Sequence, residues 1–353
     1  MVELRYPIVV KSGALSGLTD VVRAAGEGHR VAIITDRNVG RRYAKRVGKL
    51  LAGSTVYTIS AGERHKNRKT WATLTDRLLD DGFGRDTTIV ALGGGVVGDL
   101  AGFVAATYMR GVPVVQVPTT LLAMVDASVG GKTGVDTRAG KNLVGAFHQP
   151  SAVVIDPDVL KTLPADHIRA GFAEIIKHGV VADAGYFAQA LSFATRHSMN
   201  GRDGLVDLTD LVRRSVAIKA SVVARDERES GVRKVLNFGH TLGHAIEASK
   251  KFAVLHGYAV AMGMVAEARI AEAMGIAGPE TVASIREACG AAGLPATVPR
   301  IPVSRLLAFT RSDKKARGGL VHYSLPKAVG EMAGAEQGWS LPVSDATVQA
   351  ALA

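Results

Sequence analysis

Along the first 155 residues, short apolar runs alternate with amphipathic stretches. The runs fall at 6–10, 30–35, 55–60, 87–92, 114–117 and 152–155, and helical patterns lie between most of them, as at 71–81. Strands alternating with helices predict a parallel sheet covered on both faces. Beyond Asp156 the texture changes: Pro157 and Pro164 punctuate a short connection, and β-branched alternation nearly vanishes from 165 to about 311. Helical periodicity takes over at 165–181, 205–226, 237–251, 256–274 and 279–292, with a short strand expected at 320–325. The pattern predicts an α/β, Rossmann-like nucleotide-binding domain over 1–160 and a mostly α-helical domain over 161–353.

Composition narrows the function. A net charge of +11 points to an anionic partner, whether nucleic acid, a membrane surface or a small molecule. The basic residues are dispersed, and the aromatics, at 5%, do not interleave with them as a base-stacking surface requires. Nucleic acid is therefore not the expected partner. No run of 18 apolar residues exists to span a membrane, and the opening MVELRYPIVVKSG lacks the apolar core of a secretory signal. The one cysteine, Cys289, cannot form an internal disulfide. A cytoplasmic protein with small anionic ligands is the expectation.

The candidate chemistry of the first half is glycine-rich. The run at 87–92 leads into Gly93-Gly94-Gly95-Val96-Val97-Gly98-Asp99 and then a helical stretch, matching G-x-G-x-x-G between strand and helix. Such glycines let backbone N–H groups approach a pyrophosphate, although a plain tight turn reads the same way. The acid that ordinarily follows about 20 residues later is missing near Pro118. Asp36 instead ends an earlier run, where it can bind ribose hydroxyls or simply cap a helix. Residues 126–136 read as a polar, glycine-rich loop with Gly-Lys-Thr at 131–133, but the upstream glycine of a phosphate-binding P-loop is absent. Lys132, Lys141 and Asn142 still suit an anion.

In the helical half, Glu174 and Lys177 share a helix face, His240 and His244 lie one turn apart, and His256 opens the next helix. Imidazoles and a carboxylate from separate helices can form a three-ligand metal site with an open position. Local capping by each histidine is the plain alternative. Glycines at 239, 243 and 257 flank the histidines, and their helical cost of about 1 kcal/mol each makes sense where a helix ends near a ligand. Lys219 and Arg233 sit in apolar contexts, with surface ion pairs as their plain account.

Together, GGGVVGDLAGFVAATYMRG, VPTTLLAMVDASVGGKTGVD, GKNLVGAFHQP, GFAEIIKHG, DERESGVRKVLNFGHTLGHAIE, LHGYAVAMGM and SDKK resemble the 3-dehydroquinate synthase family of sugar phosphate cyclases, from about Val9 to Gly330. The resemblance implies a zinc or cobalt ion on Glu174, His240 and His256. It implies NAD on Asp36, Glu63, Lys66, Gly94, Gly95, Asp99, Thr119 and Thr120. Lys219 and Arg233 would hold a substrate carboxylate, and Lys132, Asn142, Lys314 and Arg110 the phosphate, with Arg110 reaching from a second subunit of a homodimer. Asp126, Lys141, Lys177, Glu229, Asn237 and His244 would complete the pocket.

The implied reaction turns 3-deoxy-D-arabino-heptulosonate 7-phosphate into 3-dehydroquinate by transient oxidation, phosphate elimination, re-reduction and aldol closure. Rival readings are a cyclase of another sugar phosphate and a metal-dependent polyol dehydrogenase. Members commonly carry an acid two residues after the third metal ligand, where this chain has Tyr258, and 332–353 matches the family pattern poorly.

Overall fold

A computed structural model of the chain describes residues 4–26, 30–138, 140–197, 207–250, 253–298, 300–312, 316–317 and 320–353. These form two compact units. One takes in the described residues up to Leu163 together with Asp207–Val216; the other takes in those of Pro164–Val206 and Ala217–Ala353.

The first unit is built on six parallel strands: β1 (Ile8–Val10), β2 (Arg30–Asp36), β3 (Thr55–Ile59), β4 (Thr87–Gly93), β5 (Val114–Pro118) and β8 (Ala152–Ile155). Their order is β1-β8-β5-β4-β2-β3. Every residue of β4, β5 and β8 is buried, as expected where helices cover both faces. The chain leaves β2 for β3 on one side, whereas it leaves β4 for β5 on the other. Parallel sheets place ligands at such a reversal, in the crevice beyond the strands' carboxyl ends. Here the reversal lies between Asp36, which ends β2, and the glycine cluster that follows β4.

The expected loop at 126–136 is a correction. Ala123–Ala127 is a helical turn that includes Asp126. Beyond it, β6 (Lys132–Thr137) and β7 (Gly140–Phe147) form an antiparallel hairpin. Gly130 and Gly131, just before the hairpin, turn the chain at φ 99° and 66°, whereas glycine within it answers close packing. A Cβ on Gly145 would lie 2.0 Å from the Thr133 carbonyl oxygen, and one on Gly102, in the Gly95–Thr107 helix, 2.5 Å from Thr133 Cγ2. The hairpin thus sits directly against that helix.

The second unit is helical, with helices at Ala165–Ala182, Ala184–Arg196, His240–Ser249, His256–Ala273, Pro279–Ala291, Val303–Ser312 and Asp345–Leu352. The long Thr209–Arg225 helix contributes to both units. The strand expected at 320–325 is Leu320–Tyr323, paired with Ala316–Arg317 and Leu341–Val343. Val343, Val348 and Ala351 pack in one apolar cluster with Leu242 and Ile270, so the chain's final stretch helps build this core.

Glycine sets how close the helices carrying Glu174, His240 and His256 come. A Cβ on Gly257 would lie 1.8 Å from the Ala170 carbonyl oxygen, and one on Gly263 2.0 Å from that of Gly239. Larger residues would force the His256 helix away from both its neighbours.

Candidate metal centre and cofactor loop

Glu174 has no exposed surface, and neither of its carboxylate oxygens accepts a hydrogen bond. Lys177, one turn along the same helix, forms an ion pair with Oε2. On the other side, His240 Nε2 lies 3.7 Å and His256 Nε2 3.9 Å from Oε1. The second nitrogen of each ring is engaged. His240 Nδ1 lies 3.1 Å from the Phe238 carbonyl oxygen, and His256 Nδ1 lies 3.4 Å from Glu247 Oε2. A carbonyl oxygen can only accept, so the proton of His240 belongs on Nδ1, and Nε2 keeps its lone pair.

Ligand atoms of the three residues all lie within 4.8 Å of one another. Zinc bonds of about 2.0–2.2 Å at tetrahedral angles separate ligands by roughly 3.3–3.6 Å, so the trio needs only small adjustment. The donor set, two imidazoles and a carboxylate, suits zinc or cobalt. His244, Glu247 and His256 form another such trio, but its Glu247 already orients His256. The His244 ring stands edge-on to His240, with centroids 5.4 Å apart.

Three supports were not recognised from the sequence. Glu247 is one; its place three residues after His244, on the same helix face, was the available signal. Glu267, fully buried, accepts from the N–H groups of Gly239 at 2.7 Å and Leu242 at 2.9 Å, capping the His240 helix from the His256 helix. Asp226 accepts from the N–H groups of Ser230, Gly231 and Arg233 at 2.7–3.0 Å. Burial would raise its pKa, but these N–H donors outweigh burial and hold the carboxyl below its ordinary value.

That loop carries Glu229, whose side chain accepts from Asn237 Nδ2, and Arg233, whose guanidinium donates to the Glu227 carbonyl. Lys219 and Arg233 are both buried, unlike members of surface ion pairs. Tyr258 joins the His256 helix to the Glu174 helix: its hydroxyl accepts from Arg169 Nε at 3.0 Å and donates to Asp166 at 3.2 Å. A carboxylate is therefore present next to this position, supplied by Asp166 instead of residue 258.

In the first unit, Gly94 caps the Gly95–Thr107 helix with no side-chain partner at that end, which leaves backbone N–H groups for an anion. A Cβ on Gly94 would lie 3.0 Å from Thr120 Cγ2, and Thr119 N donates to Gly93 O at 2.9 Å, so these residues lie side by side. Asp36 caps the next turn through Oδ1 alone, accepting from Asn38 and Val39. The cap occupies one carboxylate oxygen.

Lys66 is buried with three carboxylates around its ammonium: Glu63 at 2.9 Å, Asp99 at 3.1 Å and Asp136 at 3.7 Å. Burial would lower its pKa, but Asp99, Glu63 and Asp136 together hold it above the ordinary value. Burial raises Asp99 despite the opposing ammonium. Lys141 lies 3.7 Å from Glu63.

Lys132 is exposed at the start of β6 and Asp126 is half-buried. Arg110 is exposed on a turn after the Gly95–Thr107 helix. Lys314 lies outside the described residues. Among the described non-glycine residues, only Met109, Arg110, Asn142, Glu229 and Trp339 have positive φ, and three of these are expected site residues. Such backbone strain gathers at ligand sites.

Comparison with known proteins gives one picture. Residues 56–170 match the family profile described as 3-dehydroquinate synthase N-terminal, and 171–316 match 3-dehydroquinate synthase C-terminal. The 3-dehydroquinate synthase of Pelobacter propionicus is 46% identical over 337 residues, covering 93% of this chain and 92% of that one. Among solved structures, ValA (2-epi-5-epi-valiolone synthase) from Streptomyces hygroscopicus, with NAD+ and Zn2+ bound, is 29% identical with a TM-score of 0.87, covering 100% of this chain and 97% of that one. A 2-deoxy-scyllo-inosose synthase complexed with carbaglucose-6-phosphate, NAD+ and Co2+ is 25% identical with a TM-score of 0.87, covering 98% and 95%.

Proposed function

The chain belongs to the 3-dehydroquinate synthase family, and from that premise we propose that it converts 3-deoxy-D-arabino-heptulosonate 7-phosphate into 3-dehydroquinate and phosphate in the shikimate pathway. It is a lyase that uses NAD and a divalent metal. The observation that carries the reading is the buried Glu174 carboxylate, unmet by hydrogen bonds and faced by the Nε2 atoms of His240 and His256. Lys177 meets only Oε2, so the oxygen between the two imidazoles, Oε1, is the one left for a further cation.

When bound, the ion supplies a Lewis acid and NAD a reversible hydride acceptor. Glu174, His240 and His256 hold the ion, with Glu247 and the Phe238 carbonyl fixing the rings. Arg233, buried and anchored through the Asp226 loop, presents a planar guanidinium suited to the substrate carboxylate, and Lys219 adds charge. Asn237 and Glu229 orient each other beside it. Lys177 balances Glu174, and His244, beside the His240 and His256 rings, serves as a catalytic or phosphate-contacting residue. The Gly94–Gly95 turn binds the pyrophosphate of NAD through its N–H groups. Asp36, Glu63, Lys66, Asp99, Thr119 and Thr120 shape the rest of that pocket. Lys132, Lys141, Asn142 and Asp126 serve the phosphate end of the substrate, with Arg110 of a second copy in a homodimer. Arg110's exposure and left-handed backbone, at φ 69°, support that last role. The buried Cys289, whose thiol burial pushes up to about 12, suits the reducing cytoplasm.

The test supplies metal-loaded protein with the heptulosonate phosphate and NAD far below substrate concentration. Phosphate release equal to the substrate consumed, with no build-up of NADH, is expected. Steady NADH production without phosphate release would mark a polyol dehydrogenase instead.

A further inference from the structure

We propose that Asp136 is a positioning residue that sets Asn142 and joins the phosphate hairpin to the dinucleotide loop, so that NAD and phosphate bind cooperatively. The inference rests on the assignment of NAD and phosphate to these two segments.

Asp136 leaves the hairpin ladder. Val135 pairs with Val144 and Thr137 with Gly140, and the register shifts between them. A residue displaced in this way re-aims its side chain and frees its backbone for another partner. The Asp136 N–H donates to the Lys66 carbonyl oxygen at 2.8 Å, and Asn67 and Asp136 form an isolated bridge. Backbone pairing therefore ties the hairpin to the 63–67 loop.

The side chain makes the second link. Its Oδ1 accepts from the Asn142 N–H at 2.9 Å and lies 3.7 Å from Lys66 Nζ. Asn142 stands at φ 53°, a left-handed conformation that asparagine tolerates but that still needs fixing. Lys66 reaches Glu63 and Asp99 with the same ammonium, so Asp99, Lys66, Asp136 and Asn142 form one chain of charge-assisted contacts. A ligand that orders either end spares the other ligand part of the ordering cost.

The experiment is a calorimetric titration of NAD into metal-loaded protein, without and with saturating inorganic phosphate, alongside steady-state kinetics. In the unsubstituted protein, phosphate should tighten NAD about fivefold or more. Asp136→Asn keeps an oxygen for Asn142 but removes the charge facing Lys66; it should erase most of the coupling and raise KM for the sugar phosphate only slightly. Asp136→Ala should erase the coupling and raise that KM about tenfold or more, since a charged hydrogen-bond acceptor is lost. Asp136→Glu should recover part of both.

If Asp136→Ala does not fold, Asp136→Asn decides the matter alone. Coupling that persists in Asp136→Asn, or no coupling in the unsubstituted protein, would overturn the proposal. So would variants in which kcat and both KM values shift in parallel while the coupling stays intact, because that pattern marks simple scaffolding. Failure of the functional assignment reads differently: the unsubstituted protein would release no phosphate from the heptulosonate, whatever its NAD coupling.

Discussion

His256→Ala should lose bound metal and turnover together. The ring gives its Nε2 to the Glu174 side and its Nδ1 to Glu247, so alanine removes one of the three proposed ligands and leaves two buried carboxylates without it. A metal-dependent step worth several kcal/mol is forfeited, a fall of roughly 10³-fold or more in kcat. Glu174→Gln should act similarly while preserving side-chain shape. Glu247→Gln should be milder, about 10- to 100-fold in metal affinity, because it touches only ring orientation. Atomic absorption on purified variants, with thermal unfolding as a control for folding, checks the series. Full activity in His256→Ala with metal retained would remove the assignment.

The second large effect belongs to Lys66. Its ammonium is almost completely buried and balances Glu63, Asp99 and Asp136 at once. Lys66→Met leaves those carboxylates crowded together with only Lys141, 3.7 Å from Glu63, to offset them. Breaking a buried ion pair from one side costs about 3–5 kcal/mol. The partial exposure of the three acids argues for the lower end, or roughly a 10 °C loss in Tm for a unit of this size. NAD affinity should fall with it. Adding Asp99→Asn to Lys66→Met should recover part of the stability, since it removes the acid that burial penalises most directly. A Tm unchanged in Lys66→Met would show the quartet to be unimportant for stability.

The sheet was legible because its strands are buried on both faces. Continuous runs such as 87–92 and 152–155 have few other readings, and each lies within a strand of the observed sheet. Periodicity placed the helices near 165–181, 256–274 and 279–292, whereas Ala184–Arg196, Val303–Ser312 and Asp345–Leu352 were not among those it marked. The hairpin at 132–147 was hidden because its glycines interrupt the alternation that marks a strand, and the close approach of Gly145 to Thr133 and of Gly134 to Val144 exists only in the fold. From the sequence, the glycines at 239, 243 and 257 make sense through a nearby ligand. The structure gives them a packing role as well, since a Cβ at 243 would meet Ala259 and one at 257 would meet Ala170. Asp36 shows the limit of local reading: a helix cap does not exclude a ligand role when the cap uses only Oδ1. Supporting acids such as Glu267 and Asp226 carry no motif of their own, because their work is to satisfy backbone N–H groups brought near by folding.

X-ray absorption at the zinc or cobalt edge of the metal-loaded protein tests most directly how the ion is held. Two imidazole nitrogens and one carboxylate oxygen at about 2.0–2.2 Å are predicted, with one imidazole missing in His256→Ala. A shell without imidazole scattering, or a sulfur neighbour at about 2.3 Å, would contradict the placement of the ion on Glu174, His240 and His256.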